Sequence, residues 1–245
     1  MGNSNKLIVA NWKCYPETAA QAKALAKDSD WSDVVIAPST SFLGIVKLVL
    51  RKSALAAQNC YWTEGAFTGE VSPKQLKSLG VTYVIIGHSE RRQFFGDTDL
   101  IINKKIKAVI AAGLQPILCV GESWLIRKEG LPAAKSFIAN QLSQDLKGAS
   151  NLKRKLIVVY EPIWAISPKG RVDRPADAVL MLGFIKDFLN SKLGIKNPRV
   201  LYGGSVTSRN AADFLALGEI DGLLVGGASR NAADFKKIIR LRNGK

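Results

Sequence analysis

The stretch that settles the fold is Asp33–Ser53, DVVIAPSTSFLGIVKLVLRKS. It opens on DVVIAP, a short apolar run rich in Val and Ile. Such an unbroken run predicts a strand buried on both faces, the habit of parallel sheets. Pro, Ser and Thr then interrupt the chain, and the longer stretch SFLGIVKLVLRKS reads as a helix.

The same pairing recurs on both sides of this unit. The runs KLIVA, ALAAQ, YVIIG, QPILCV, KLIVVY, RVLYGG and GLLVGG alternate with helix-like segments. These segments are PETAAQAKALAKD, SPKQLKSLG, DLIINKKIKAVIAAG, AAKSFIANQLSQDLKG, PADAVLMLGFIKDFLNSKLG, SRNAADFLALG and NAADFKKIIRLR. Eight strand–helix units favour a closed (β/α)8 barrel over a doubly wound sheet. With 245 residues, 47% of them hydrophobic, the chain can fill one sizeable core. No Gly/Ser-rich or Pro-rich linker divides it, so residues 1–245 are read as one domain.

Composition narrows the function. No apolar run reaches the roughly 18 residues of a membrane span. MGNSNK lacks an apolar signal core, and Lys6 breaks the myristoylation pattern, which makes a cytoplasmic location the expectation. Cys14, Cys60 and Cys119 show no CxxC spacing, and one histidine cannot complete a zinc site with them. The thiols are expected to be reduced and structural, and no metal is expected. The net charge of +15 raises the question of nucleic acid. The basic residues are spread along the chain without an RNA- or DNA-binding motif, so a solvated surface that draws in small anions is the better reading.

In a barrel of this type the chemistry sits where strands end and βα loops begin. Asn11 and Lys13 follow the first strand, His88 the fourth, Glu161 the sixth, Ser205 the seventh, and Gly226 and Gly227 the eighth. Each has a plainer reading: a solvated lysine, a structural histidine, a strand-ending glutamate, turn glycines. Together they place a cation, an imidazole, a carboxylate and two glycine-rich turns on one rim. YGGSV and VGGAS lead into helix starts whose N–H groups can hold a phosphate. A carboxylate partly removed from water can act as a base on carbon. His88 precedes SERR, a helix start whose positive end favours a neutral ring able to donate to a carbonyl. Lys13 adds a fixed charge where negative charge develops. The set describes proton shuttling beside the carbonyl of a small phosphorylated sugar, with no cofactor. A non-catalytic phosphate- or nucleic-acid-binding barrel, and an aldolase, are the other readings. Binding alone needs no base, and a Schiff-base aldolase needs a lysine deep on a strand, which the KLIVVY and YVIIG runs do not offer near their C-terminal ends.

ANWK, AQN, GAFTGE, IIGHSERR, ILCVGE, YEPIWAI, YGGSV and DGLLVGGAS resemble the triosephosphate isomerase family, in order and over nearly the whole chain. The resemblance implies interconversion of glyceraldehyde 3-phosphate and dihydroxyacetone phosphate by a homodimer. This family is a reference case of a glutamate base paired with a neutral histidine. By position, Glu161 is then the base, His88 the electrophile, and Asn11 and Lys13 substrate contacts. Ser167, Ser205, Gly226 and Gly227 hold phosphate, while Glu90, Cys119 and Glu122 stand behind them. Thr68 in GAFTGE reaches the partner's site, with Cys14 close to that loop. Residues at about 162–172 form a closing lid, with Ile163–Ile166 as its apolar tip. The lid reads AISPKG where the family has AIGTGK, and CYWTE, before GAFTGE, is about one residue short.

Overall fold

The computed structural model describes residues 6–150, 152, 156–166 and 173–242. Eight parallel strands close into a barrel in chain order. They are β1 Leu7–Asn11, β2 Val34–Ala37, β3 Ala54–Ala57, β4 Tyr83–Ile86, β5 Gln115–Val120, β6 Ile157–Tyr160, β7 Arg199–Tyr202 and β8 Gly222–Val225. β1 pairs with β2 on one side, at Ile8↔Val34, and with β8 on the other, at Ile8↔Leu223, which leaves no free edge.

The period of two explains the unbroken apolar runs. Leu7, Val9, Val35, Ile85, Ile117, Cys119, Val159, Leu201 and Leu224 pack inside the barrel. Their neighbours Ile8, Ala10, Ile36, Val84, Ile86, Leu118, Val158, Val200 and Val225 pack outward against the helices. Apart from the first residues of β3, β4, β5 and β7, both faces of the strands are therefore dry, as the sequence predicts.

The helices are α1 Ala19–Asp28, α2 Leu43–Lys47, α3 Pro73–Ser78, α4 Ser89–Phe94, α5 Asp99–Ala111, α6 Trp124–Arg127, α7 Leu131–Asp145, α8 Pro175–Ser191, α9 Ala211–Leu215 and α10 Ala232–Leu241. Thr18 and Ser72 cap α1 and α3 through reciprocal bonds with Gln21 and Gln75. Two helices are shorter than their sequence suggests. α2 stops at Lys47 because the Asp30 carboxylate accepts the N–H groups of Arg51, Lys52 and Ser53, at 2.7 to 2.9 Å. Those donors are thereby turned away from any helical ladder. α9 starts only at Ala211, since the Asn210 side chain holds the Thr207 N–H and hydroxyl in a turn. The short α6 escapes the sequence pattern. No helix among the described residues is long and apolar enough to cross a membrane.

Candidate active site

The C-terminal ends of the strands bring the expected residues together. Lys13, His88, Glu161, Ile166, Ser205, Gly226 and Gly227 line one cavity of about 210 Å³.

Glu161 follows β6 directly. Its N–H donates to the Val120 carbonyl at 2.8 Å, and Gly203 N–H donates to the Tyr160 carbonyl at 2.8 Å. The barrel ladder thus extends to the residue that carries the carboxylate and fixes its position. A Cβ at Gly203 would come within 2.6 Å of Val159 Cγ1 and 3.1 Å of Glu161 Cγ, so glycine is what leaves the carboxylate its room. Glu161 is 1% exposed. Its Oε2 accepts the Ser89 N–H at 3.0 Å. Its Oε1 has no hydrogen-bond partner among the described residues and lies 3.2 Å from His88 Nε2.

His88 is the N-cap of α4, and its Nδ1 accepts the Glu90 N–H at 3.3 Å. A nitrogen that accepts carries no proton. The ring's proton therefore sits on Nε2, the atom beside Glu161.

Lys13 is held in a left-handed backbone conformation, φ 55°, which a lysine seldom adopts. Its carbonyl accepts from Ser39 Oγ at 3.0 Å and from Gln58 Nε2 at 2.9 Å, and its N–H donates to Asn11 Oδ1 at 3.1 Å. These bonds from the ends of β1, β2 and β3 over-determine the strained residue. Its Nζ reaches Glu90 Oε1 at 2.6 Å. Asn11 is buried and meets Lys13 through its side chain.

At the far side, the Ser205 hydroxyl donates to the Ala165 carbonyl at 2.5 Å. Gly226 lies 3.5 Å from Lys13 Cε, measured from an ideal Cβ, and a single 3-10 turn, Gly227–Arg230, follows. Both glycines line the cavity.

Cys119 lies inside the barrel beside Glu161, and burial pushes its thiol well above the usual range. Glu122 stands further off. Its Oε1 accepts from Tyr160 OH at 3.0 Å and from Trp164 Nε1 at 2.9 Å, and burial raises its pKa. Ile163–Ala165 is a 3-10 turn. The expectation of an apolar tip over Ile163–Ile166 needs correction: Trp164 is tied down on Glu122, Ala165 is buried, and of the four only Ile166 lines the cavity. Ser167, with Pro168 and Gly170, lies outside the described residues. Thr68 and Cys14 are exposed, away from the cavity lining. In the loop bearing Thr68, Tyr61 stacks on Trp62 at 3.9 Å and Phe67 lies against Tyr61 at 4.5 Å.

Sequence reading missed four contributors. Ser89, Gln58 and Ser39 act through groups whose partners only the fold reveals, and Trp164 looked like part of an apolar tip. Among the described residues no cluster of three or more His, Cys, Asp or Glu could hold a metal ion.

The fold and this geometry describe a (β/α)8-barrel protein with acid–base groups gathered at its C-terminal rim. The model of the family described as Triosephosphate isomerase matches residues 6–242. The chain is 40% identical over 249 residues to the triosephosphate isomerase of Dictyoglomus thermophilum, covering 96% of this chain and 98% of that protein. It is 42% identical to that of Syntrophotalea carbinolica (96% and 97% covered) and 43% to that of Gloeothece citriformis (97% and 99%). The chain belongs to the triosephosphate isomerase family.

Proposed function

We propose that the protein interconverts D-glyceraldehyde 3-phosphate and dihydroxyacetone phosphate by proton transfer through an enediolate. Glu161 takes a proton from the carbon next to the carbonyl. His88 Nε2–H donates to the carbonyl oxygen, on which negative charge develops. Lys13 adds its charge there. The hydroxyl proton passes between the two oxygens through His88, and returning the carbon-bound proton to the neighbouring carbon completes the isomerisation with no net change in composition. The phosphate sits against Ser205 and the N–H groups of Gly226 and Gly227. Asn11 holds Lys13 and the substrate.

The observation that carries this reading is the pair at the cavity wall. An unpartnered Glu161 oxygen lies 3.2 Å from the nitrogen of His88 that bears the proton. A base and a neutral donor set side by side suit the two ends of an enolisation. The residues at about 162–172 act as the lid that excludes water. The working form is a homodimer in the cytoplasm, with Thr68 reaching the partner's site near Lys13 and His88.

A coupled assay with glyceraldehyde 3-phosphate, in the presence of a metal chelator, tests the function. Turnover comparable with other family members is expected. Binding of the phosphate ester without turnover would leave only a ligand-binding barrel.

A further inference from the structure

Arg92, on α4, joins the ends of two strands that the proposed chemistry depends on. Its side chain is 13% exposed. Nε donates to the Gly87 carbonyl at 2.8 Å, and Nη2 donates to the Cys119 carbonyl at 3.2 Å. Nη2 also meets Asp145 Oδ2 at 2.5 Å, and Nη1 meets Asp99 Oδ1 at 2.6 Å.

The placement is specific. The β4–β5 register runs Tyr83↔Gln115 to Ile86↔Leu118. Gly87 and Cys119 are the next positions, and there the guanidinium bridges their two carbonyls. Gly87 has φ +74°, and a Cβ on it would come within 2.9 Å of Arg92 Nη2 and 3.1 Å of the Cys119 carbonyl. Glycine is required for the guanidinium to fit. Gly87 precedes His88, while the Cys119 side chain lies beside Glu161.

Stability alone does not account for this network. Buried ion pairs contribute little net stability compared with apolar packing. Asp145 is fully buried in the last turn of α7, where the helix dipole disfavours an anion, and its Oδ1 has no partner among the described residues. What the planar fork does provide is a fixed geometry for two carbonyls at once, which an ammonium cannot reproduce.

We propose that Arg92 is a positioning residue, holding His88 and, through Cys119, Glu161 in register across the ends of β4 and β5. Asp145 and Asp99 hold the guanidinium in turn. The proposal rests on the roles assigned to His88 and Glu161 above.

Arg92→Lys tests it without leaving Asp145 buried and unpaired. His88 is the chain's single histidine, so its imidazole resonances report alone. The expected result is a folded protein with a shifted His88 resonance and kcat lower by about 30-fold, KM changing less than about threefold. Asp99→Asn, at a carboxylate 34% exposed, is a second variant that keeps the core intact. It should move the same resonance and lower kcat by a few-fold. His88 signals and kcat unchanged in either folded variant, with only thermal stability reduced, would overturn the proposal. The NMR comparison needs no substrate. If the wild type did not turn over the triose phosphate, the functional reading would fail while the resonance still decided the role of Arg92.

Discussion

The proposed chemistry rests on three side chains, and groups from other parts of the rim hold them: the Ser89 N–H on Glu161, the Glu90 N–H on His88, and the Ser39 and Gln58 side chains on the Lys13 carbonyl. Replacing Glu161 by Gln keeps the size and the Ser89 N–H bond but removes the base. A drop in kcat of at least about 100-fold with little change in KM is expected from steady-state assays. Wild-type kcat in Glu161→Gln would mean the base lies elsewhere. Gly203→Ala probes the same atom from behind. Its new Cβ would press on Val159 and on Glu161 Cγ, so the loss should again fall on kcat, in a protein that still folds. How much of this was legible in the sequence follows from where each signal lies. His88, Glu161 and Lys13 are legible because strand ends are visible as the last apolar residue of a run. The left-handed backbone of Lys13 is not, since lysine carries no preference for it and the bonds from Ser39 and Gln58 impose it from elsewhere in the chain. Arg92 is hidden for the same reason: SERR reads as a helix start, and nothing local says that its second arginine turns inward.

The elements were legible to the extent that their order is local. All eight strands stand where the apolar runs stand, because burial on both faces confines polar residues to strand ends such as Asn11, Gln115 and Arg199. Helix ends were less so. Asp30 holds the N–H of Arg51, 21 residues further along the chain and just past α2, a contact no pattern within the helix foretells. The turn Ile163–Ala165 shows the same limit. Read from sequence, Trp164 is an apolar cover; in the fold its indole N–H satisfies a buried carboxylate and its ring meets Trp124 edge-on at 5.9 Å. Trp164→Phe keeps most of the apolar surface and removes the donor. Glu122, fully buried, would keep Tyr160 OH as a donor and lose one of two strong bonds on Oε1. The free energy of unfolding in urea should fall by about 1–3 kcal/mol. A phosphate-bearing inhibitor should also bind more weakly, since the turn leads into the residues of the proposed lid. An unchanged urea midpoint and inhibitor affinity would show that the indole bond does not anchor this turn.

At the scale of the molecule, the net charge of +15 remains after all the carboxylates are counted, and several of those carboxylates, Glu122, Asp145 and Asp173 among them, are buried. Light scattering tests the proposed assembly: a species of about twice 26.6 kDa is expected at micromolar concentration, and a lone 26.6 kDa species would exclude it. Acid stability tests the interior. Asp173 is buried, and its Oδ2 accepts from Tyr202 OH at 3.0 Å. Burial lifts its pKa from 3.8 to about 6; the Tyr202 bond and the charge of Arg127 oppose the rise, while Asp177 and Glu122 add to it. Above pH 3.8 the unfolded chain releases this proton while the folded chain keeps it. The folded state therefore binds more protons, and stability falls as pH rises. The loss runs from about pH 4 to about pH 6 and is complete above the folded value. A shift of about two units corresponds to on the order of 3 kcal/mol. Asp173→Asn removes the titration while keeping an oxygen that can accept from Tyr202. Urea denaturation at pH 4.5 and pH 7.5 should therefore show a smaller decline for the variant than for the wild type. The variant should also be the more stable of the two at pH 7.5, where the wild type carries a buried charge. Equal declines in the two proteins would place the Asp173 carboxyl at its ordinary value and leave the acid stability to other groups.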